Sequence, residues 1–314
     1  MSKKTILLSG FAALTLYQSA HAMELWDPRC RTLGVGEYSG MLPPKGLYFS
    51  DDNTFLRYNE YDKNGNKMPS TNANAYINTP ALLWSTGLKI FGGSYAVGIA
   101  QPLDYTSGGP GYGVKPGAGN LGFYNTVLVP GIIAWNFKPL FVSAGLSVYL
   151  PDGTNTMVDF LHGKMNNGGL PSANGYPSIE PDLGLTLMLP AGWSASAALY
   201  LNFPLAATKT TVDGGTYHYH SGNILMGDYT IGKTLGAWML GVGGATQNQL
   251  NPDKNTGTIK PFTHGNAQNY SISAFATYHF KSGVSLTGTI SHGLKTENDL
   301  GGSIFNLRVE TPIL

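Results

Sequence analysis

The chain has 314 residues, of which 12% are charged, 11% are aromatic and 42 are glycine. Typical soluble domains carry about 25% charged residues and about 7% glycine, so this composition favours strands in which apolar and small polar residues alternate. Nineteen basic and 18 acidic residues give a net charge of only +1, which argues against a nucleic-acid-binding protein.

Residues 1–22 have the order of regions that defines a secretory signal peptide. Lys3 and Lys4 come first, an apolar run follows over residues 6–17, and the small residues Ala20 and Ala22 stand at the end. The run is shorter than the ~20 residues that a spanning helix needs, so a membrane anchor is disfavoured. Cleavage predicts a mature chain that begins at Met23 and carries 17 basic and 18 acidic residues.

Residues 23–46 form an N-terminal extension without regular alternation. It contains the glycine- and proline-rich stretch "GVGEYSGMLPPKG". Two placements stay open for it, as a plug inside a barrel or as a segment in the periplasm. Cys30, the only cysteine, lies here, so we expect a free thiol and neither a disulfide framework nor a cysteine metal cluster.

Residues 47–314 contain repeated stretches in which apolar residues alternate with small uncharged ones. Examples are "VSAGLSVYL" (142–150), "WSASAALYLNF" (193–203) and "VSLTGTIS" (284–291). A period of two indicates a β-strand whose two faces have different surroundings. A soluble sheet carries more Lys, Glu and Arg on its water-facing side, so the pattern favours strands with one face in lipid.

Short and long connections alternate along this region. Short turns are expected near 92–93, 136–139, 190–192, 233–236 and 281–283, and a further turn at 61–69 joins strands at 47–60 and 74–90. Longer polar stretches lie at 104–120, 151–176, 204–216, 251–267 and 295–301. The pattern predicts an all-β fold, a transmembrane antiparallel β-barrel of about 12 strands over residues 47–314. Long loops, such as 104–120, 151–176 and 251–267, are expected outside the cell, and the turn at 136–139 in the periplasm. The alternative is a secreted β-sandwich binding protein.

Two sets of side chains follow from this barrel. Tryptophans beside the short turns are expected to form an aromatic girdle at the membrane interface, namely Trp135, Trp193 and Trp238. In the last strand Phe305, Leu307, Val309 and Ile313 are expected to face lipid, because a charge there would cost about 2–4 kcal/mol. Charged residues on the opposite faces are predicted to line the lumen, namely Glu180, Asp182, Asp228, Arg308 and Glu310.

No catalytic or metal site is expected. The mature chain has no Ser-x-His, His-x-Ser, G-x-S-x-G or H-E-x-x-H pattern, and residue 294, two places after His292, is a leucine. Glu180 and Asp182 share a face and could suggest acid–base chemistry, but counter-charges for inward Lys or Arg are the favoured interpretation. His218 and His220 share a strand face, yet two imidazoles without a third ligand do not define a metal site.

Several motifs resemble one family of outer-membrane proteins, that of the meta-pathway of phenol degradation. They are "GMLPPKGLYF" (40–49), "YDKNGNKMP" (61–69), "LPDGT" (150–154), "SIEPDLGLTLMLPAGW" (178–193) and "YHSGNILMGDY" (219–229). The resemblance covers most of the mature chain, in order. It implies a bacterial outer-membrane barrel linked to uptake of aromatic or other hydrophobic compounds, with no family catalytic residues to carry over.

The expected function is therefore passive passage of small hydrophobic or aromatic solutes, without cofactor or energy coupling. Small side chains on the polar faces leave room in the lumen, and 12 strands lie between a filled barrel of about eight and an open channel of 16–18. The expected partners are outer-membrane lipid and the solute. The alternative is a closed structural or adhesive barrel.

Overall fold

A computed structural model describes residues 38–114, 119–165, 168–259 and 266–314. The predicted signal peptide, Cys30 and residues 23–37 of the extension lie outside the described residues. The strands, in chain order, are β1 (Gly46–Tyr61), β2 (Lys67–Ile90), β3 (Gly93–Ala100), β4 (Leu103–Gly108), β5 (Asn120–Phe123), β6 (Val127–Phe137), β7 (Leu140–Tyr149), β8 (Ser178–Met188), β9 (Trp193–Pro204), β10 (Thr208–Val212), β11 (Gly215–His220), β12 (Ile224–Leu235), β13 (Trp238–Gln249), β14 (Lys254–Asn255), β15 (Gln268–His279), β16 (Ser285–Glu297) and β17 (Asp299–Pro312). One short helix, α1 (Met157–Leu161), lies between β7 and β8.

Fourteen of these strands form one antiparallel sheet that closes on itself, because β17 pairs with β1. β3 and β4 follow one another along β2 and count as one wall strand, and β5 and β6 form the next. The wall therefore has 12 strands, which confirms the predicted barrel and excludes a β-sandwich.

The two divided wall strands are interrupted side by side. Pro102 has no N–H to give to a ladder, and the chain leaves the sheet between β3 and β4. Side chains bridge the interruption: Gln101 Nε2 donates to the Tyr124 carbonyl at 2.8 Å, and Thr126 Oγ1 donates to Gln101 Oε1 at 2.5 Å. Asp152 accepts from the Thr126 N–H at 2.9 Å, so the loop after β7 also secures this part of the wall.

Five short turns, at 91–92, 138–139, 189–192, 236–237 and 280–284, lie at one end of the barrel together with both ends of the wall, as predicted. We call this end the short-turn end and the opposite one the long-loop end. The turn at 62–66 lies at the long-loop end, with the long loops. Two predicted loops were wrong in part. Residues 103–108 of the expected loop 104–120 form β4, and the expected loop 295–301 is a tight turn in which Asn298 alone separates β16 from β17. Their polar inner residues, such as Asp104 and Asp299, face the interior of the barrel and were mistaken for loop residues.

The long loops fold over their end of the barrel and carry structure of their own. β10, β11 and β14 form a three-stranded sheet within two of them, so the predicted polar connection 204–216 contains a hairpin. Apolar residues of these loops pack against the inner faces of β1, β2 and β17, forming a core that includes Leu56, Tyr58, Tyr112, Met157, Leu170, Tyr217, Tyr219 and Ile304. Burial, followed by the nearby Glu60 carboxylate, raises the pKa of Tyr112.

Alternation along the wall strands separates two environments. In β17, Phe305 and Leu307 are 45% and 37% exposed, whereas Asn306 and Arg308 between and after them are 0% and 2% exposed. The exposed residues form the outer surface and the buried ones the interior. Among the described residues, no helix is both long and apolar enough to cross a membrane.

Candidate functional site

One side of the interior is lined by hydroxyl groups. We call the inner faces of β15 and β16 the polar wall. Phe275 is its buried aromatic residue, and its buried polar residues are Asn269, Ser271, Ser273, Thr277, Ser285, Thr287, Thr289, Ser291 and Thr296. Thr277 and Thr287 share a hydrogen bond of 2.9 Å across the two strands. The polar side chains are short, so the polar wall occupies little of the lumen except at Phe275.

The opposite side is lined by hydrocarbon. On β2 the inner residues Ala73, Ala75, Ile77, Ala81 and Leu83 are buried, and the three buried polar residues on the same face are Thr71, Thr79 and Ser85. The upper three belong to the core at the long-loop end, and the lower two pack with inner residues of β3 and β6. We call this surface the apolar strip; its further members are Ala96, Ala100, Val127, Val129 and Ile132. It runs along the barrel between the two ends.

Two of the five charged residues predicted to line the lumen lie together on β17. Arg308 Nε is 3.9 Å from Glu310 Oε1, and their side chains are 2% and 6% exposed. Glu310 also accepts from Ser285 Oγ at 2.9 Å. Asp52 stands opposite Arg308 on β1 and accepts from Asn306 Nδ2 at 3.2 Å. Sequence analysis missed Asp52, which alternates with the outward Asp51.

The other three carboxylates lie on β8 and β12, on either side of β9. Glu180, Asp182 and Asp228 are 1%, 8% and 3% exposed. Tyr200 on β9 donates to Asp228 at 3.0 Å, and Asn202 donates to Glu180 at 3.2 Å. All five predicted residues are thus buried on interior faces; that they line a path for solute stays a prediction.

The three tryptophans of the predicted girdle stand beside short turns. Trp193 and Trp238 are 42% and 48% exposed, and Trp135 donates to the Phe91 carbonyl at 2.9 Å. Trp84, which sequence analysis left out, is 53% exposed on β2 at the same end of the barrel. Their position at a membrane interface stays a prediction.

Residues 38–44, which we call the inner segment, lie inside the barrel at the short-turn end. The Tyr38 N–H donates to Ser196 Oγ at 3.1 Å, and the Gly40 N–H donates to Thr186 Oγ1 at 3.0 Å. Ser143 Oγ donates to the Ser39 carbonyl at 2.8 Å. On the far side of the lumen, Ser85 on β2 donates to the Pro43 carbonyl at 3.0 Å. The inner segment therefore runs from β9 to β2 across the lumen.

Glycines allow the inner segment to lie directly on the wall. A Cβ on Gly184 of β8 would collide with the Ser39 carbonyl oxygen, and a Cβ on Gly40 would collide with the Phe141 carbonyl oxygen of β7. Beside this contact, Tyr38 packs with Met239 and Phe275, together with Met41 and Met188. A cavity of about 190 Å³ remains on the side of β3, β6 and β7, lined by Gly40, Met41, Leu42, Ser94, Ala134, Trp135, Asn136 and Phe141.

Candidate reactive groups are placed as follows. His218 Nδ1 lies 2.8 Å from Thr256 Oγ1, and the cation Lys254 stands opposite His220 on β14. Among the described residues, no group of three or more His, Cys, Asp or Glu could hold a metal ion. His292 Nδ1 lies 2.9 Å from Ser303 Oγ on the outer surface, a pair that a search along single strands cannot find because it joins β16 to β17.

Comparisons with known proteins agree with this architecture. The chain belongs to the family described as "Putative MetA-pathway of phenol degradation", which matches residues 59–309. This confirms the resemblance drawn from the motifs. None of the curated proteins matches the sequence significantly.

Solved structures with similar folds include outer-membrane barrels. The fold is similar to that of an outer membrane channel from Pseudomonas putida F1, with 12% identity, 86% of this chain and 96% of that chain covered, and a TM-score of 0.68. The transport unit of the autotransporter AIDA-I from Escherichia coli has 9% identity, coverage of 84% and 89%, and a TM-score of 0.50. At these identities the likeness establishes the fold.

Proposed function

We propose that the protein is an outer-membrane channel for passive uptake of small hydrophobic or aromatic compounds, and that it is not an enzyme. The observation that carries the proposal is the apolar strip. A wall built for hydrophilic solutes would carry polar groups on all sides, whereas Ala96, Ala100, Val127, Val129 and Ile132 of β3 and β6 are hydrocarbon, as are five of the eight buried inner residues of β2. An apolar solute that moves along them exchanges water for hydrocarbon contact, which is favourable by roughly 25 cal/mol per Å².

Two further features support this function. The family description names phenol degradation, and the similar barrel from Pseudomonas putida is itself described as a channel. A barrel with short turns at one end and long loops at the other is typical of outer-membrane proteins, whose short turns face the periplasm. We therefore place the long loops outside the cell and expect cleavage of residues 1–22 on export.

The inner segment is the proposed plug of this channel. It makes hydrogen bonds to four wall strands and leaves a cavity of about 190 Å³ beside β6. This arrangement favours small solutes that move next to the apolar strip. We propose that residues 23–46 together form the N-terminal extension, and that residues 47–314 form the barrel.

A second candidate function is a closed structural or adhesive barrel. The core at the long-loop end favours it, because Met157, Leu170 and Tyr219 are fully buried there and fill the interior between the loops. A channel requires this core to open for a solute, whereas a structural barrel requires it to stay packed.

Uptake of a labelled aromatic compound by cells distinguishes the two. Cells that lack the protein are complemented with the wild type, with Gly184→Val, or with the matched control Gly288→Val. A side chain at Gly184 would displace Ser39 of the inner segment, whereas Gly288 is an outward residue with open space around it. We expect uptake to be fastest with Gly184→Val, slower with the wild type and slowest in uncomplemented cells. Uptake with Gly288→Val should equal that of the wild type. Equal uptake by complemented and uncomplemented cells would leave only the structural barrel.

A further inference from the structure

The outer surface carries a row of polar side chains at one level near the long-loop end. Arg57 on β1 stands opposite Asn74 on β2 and opposite Ser303 on β17, and Ser303 stands opposite His292 on β16. Arg57, Ser303 and His292 are exposed, and Asn74 is half-buried on the same outward face. We call these four residues the donor row.

The row directly below is apolar, which fixes the level of the donor row. Towards the short-turn end the next outward residues on the same strands are Tyr76, Phe55, Phe305 and Ile290, which are 36%, 50%, 45% and 64% exposed. Phe55 contacts both Tyr76 and Phe305, with ring centroids 4.9 Å and 6.2 Å apart. On β17 and β16 the outward residues below this row stay apolar, as Leu307 and Leu286 show, whereas on β1 and β2 Asn53, Asn78 and Asp51 form a hydrogen-bonded polar group below it. In a membrane barrel the change from hydrocarbon to polar side chains on β16 and β17 marks the boundary between acyl chains and headgroups.

The donor row is rich in N–H and O–H groups and poor in negative charge. The guanidinium of Arg57 forms no ion pair with any carboxylate in the described part of the chain, and it offers five N–H donors. His292 Nδ1 and Ser303 Oγ are 2.9 Å apart. Whichever of them donates in this bond, the pair keeps one donor, either the His292 Nε2–H or the Ser303 O–H. The nearby carboxylate of Glu297 is already neutralised by Lys295 at 3.0 Å.

We propose that the donor row binds the phosphate group of an anionic lipid in the leaflet at the long-loop end. Arg57 recognises the phosphate oxygens bidentately, as guanidinium groups do. Asn74, Ser303 and His292 supply further hydrogen bonds, and the acyl chains lie against Phe55, Phe305 and Ile290. The site lies on the outside of the barrel, so it is independent of passage through the lumen.

Binding of two matched glycolipids to the purified full-length protein tests the proposal. The probes are bis-phosphorylated lipid A and the same lipid A after enzymatic removal of its phosphates, measured by native mass spectrometry from detergent. The wild type should bind the phosphorylated form at least about tenfold more tightly, and Arg57→Gln should lose about tenfold, as expected for a charged hydrogen bond. His292→Gln should lose a smaller factor. Lys89→Gln, an exposed cation at the short-turn end, is the control that should leave binding unchanged.

Three results would overturn the lipid site. They are equal binding of the two glycolipids by the wild type, unchanged binding by a folded Arg57→Gln protein, and an equal loss in Lys89→Gln. In a competition experiment, inorganic phosphate is added at millimolar concentration to the complex with lipid A. Full displacement of lipid A by it would assign the donor row to a free anion and refute the lipid as its ligand.

Discussion

The polar wall and the apolar strip are both built from antiparallel wall strands, but their inner faces carry different side chains, hydroxyl groups on one and hydrocarbon on the other. On β16, hydroxyl groups of Ser285, Thr287 and Thr289 face the lumen while Leu286 and Ile290 face outward. Around Leu83 on β2 and Val129 on β6 both faces are apolar, because these two residues point inward while Leu82 and Leu128 point outward. Alternating strands such as β16 separate a polar interior from an apolar outer surface. Strands that break the alternation make part of the interior apolar, which favours apolar solutes there.

The largest effect is expected where charges border the polar wall. Arg308→Met removes the cation that stands between Glu310 and Asp52. Because it leaves buried carboxylates without their counter-charge, the free energy of unfolding should fall by about 3–5 kcal/mol. Urea unfolding in lipid vesicles measures it. Lys89→Gln, an exposed cation at the short-turn end, is the matched control and should change little; equal stability of Arg308→Met and wild type would contradict the role of this pair.

On the apolar strip, Leu83→Ala should lower the free energy of unfolding by about 2–5 kcal/mol, since it leaves a cavity in a packed cluster. Leu83 is 2% exposed, and its chain neighbour Leu82 is 39% exposed on the outer surface. Leu82→Ala opens no cavity and should cost less than half as much in the same urea titration. The reverse order would mean that the strip is loosely packed.

A smaller effect is expected on the wall between these two surfaces. Tyr200→Phe removes the hydroxyl that donates to the buried Asp228 carboxylate, and the loss should be about 1.5–3 kcal/mol for a hydrogen bond to a charged group. Tyr270→Phe removes a bond between neutral groups, from its hydroxyl to Asn248 Oδ1 at 2.9 Å, and should cost about 0.5–1.5 kcal/mol. Similar losses in both variants would show that Asp228 does not depend on Tyr200.

The smallest effect concerns pH and the long-loop end. Burial alone would raise the pKa of Asp159, but hydrogen bonds from Lys164 and Thr156 outweigh it and lower the pKa. A carboxyl with a lowered pKa stabilises the folded form above its unfolded pKa of about 3.9, and this contribution is lost as the pH falls through the folded value. The pair is exposed, so the loss should stay below about 1 kcal/mol. The protection of the α1 amides, measured as exchange relative to the intrinsic rate at each pH, should therefore be lower at pH 3 than at pH 7, and Asp159→Asn should remove the difference.

The fold could be read from the sequence wherever one face of a strand is polar. Alternation in "VSLTGTIS" and "WSASAALYLNF" marks β16 and β9, and the sorting of connections by length predicts 12 wall strands. The interior positions of the five predicted charged residues also follow from this phase, since they alternate with outward neighbours such as Leu183 or Leu307.

The apolar strip could not be read in this way. In "VLVPGIIAW" both faces are hydrocarbon, so a period of two carries no information about which face is inward. The inner segment was left open because its hydrogen bonds to Ser196, Thr186 and Ser143 join residues more than 100 positions apart. Asp104 and Asp299 were assigned to loops because a polar residue inside a barrel looks the same in sequence as one in water.

The preference of the lumen is tested most directly by exchanging chemistry between the two surfaces. Val129→Thr places a hydroxyl on the apolar strip, and Thr289→Val removes one from the polar wall, where the Thr289 hydroxyl has no hydrogen-bond partner within the described residues. Both changes keep the shape of the side chain. Uptake of a labelled aromatic compound is measured in cells with an intact outer membrane, because bare phospholipid vesicles admit such compounds without a channel. We expect slower uptake with Val129→Thr and unchanged or faster uptake with Thr289→Val. Unchanged uptake in both variants, or slower uptake in Thr289→Val alone, would contradict passage along the apolar strip.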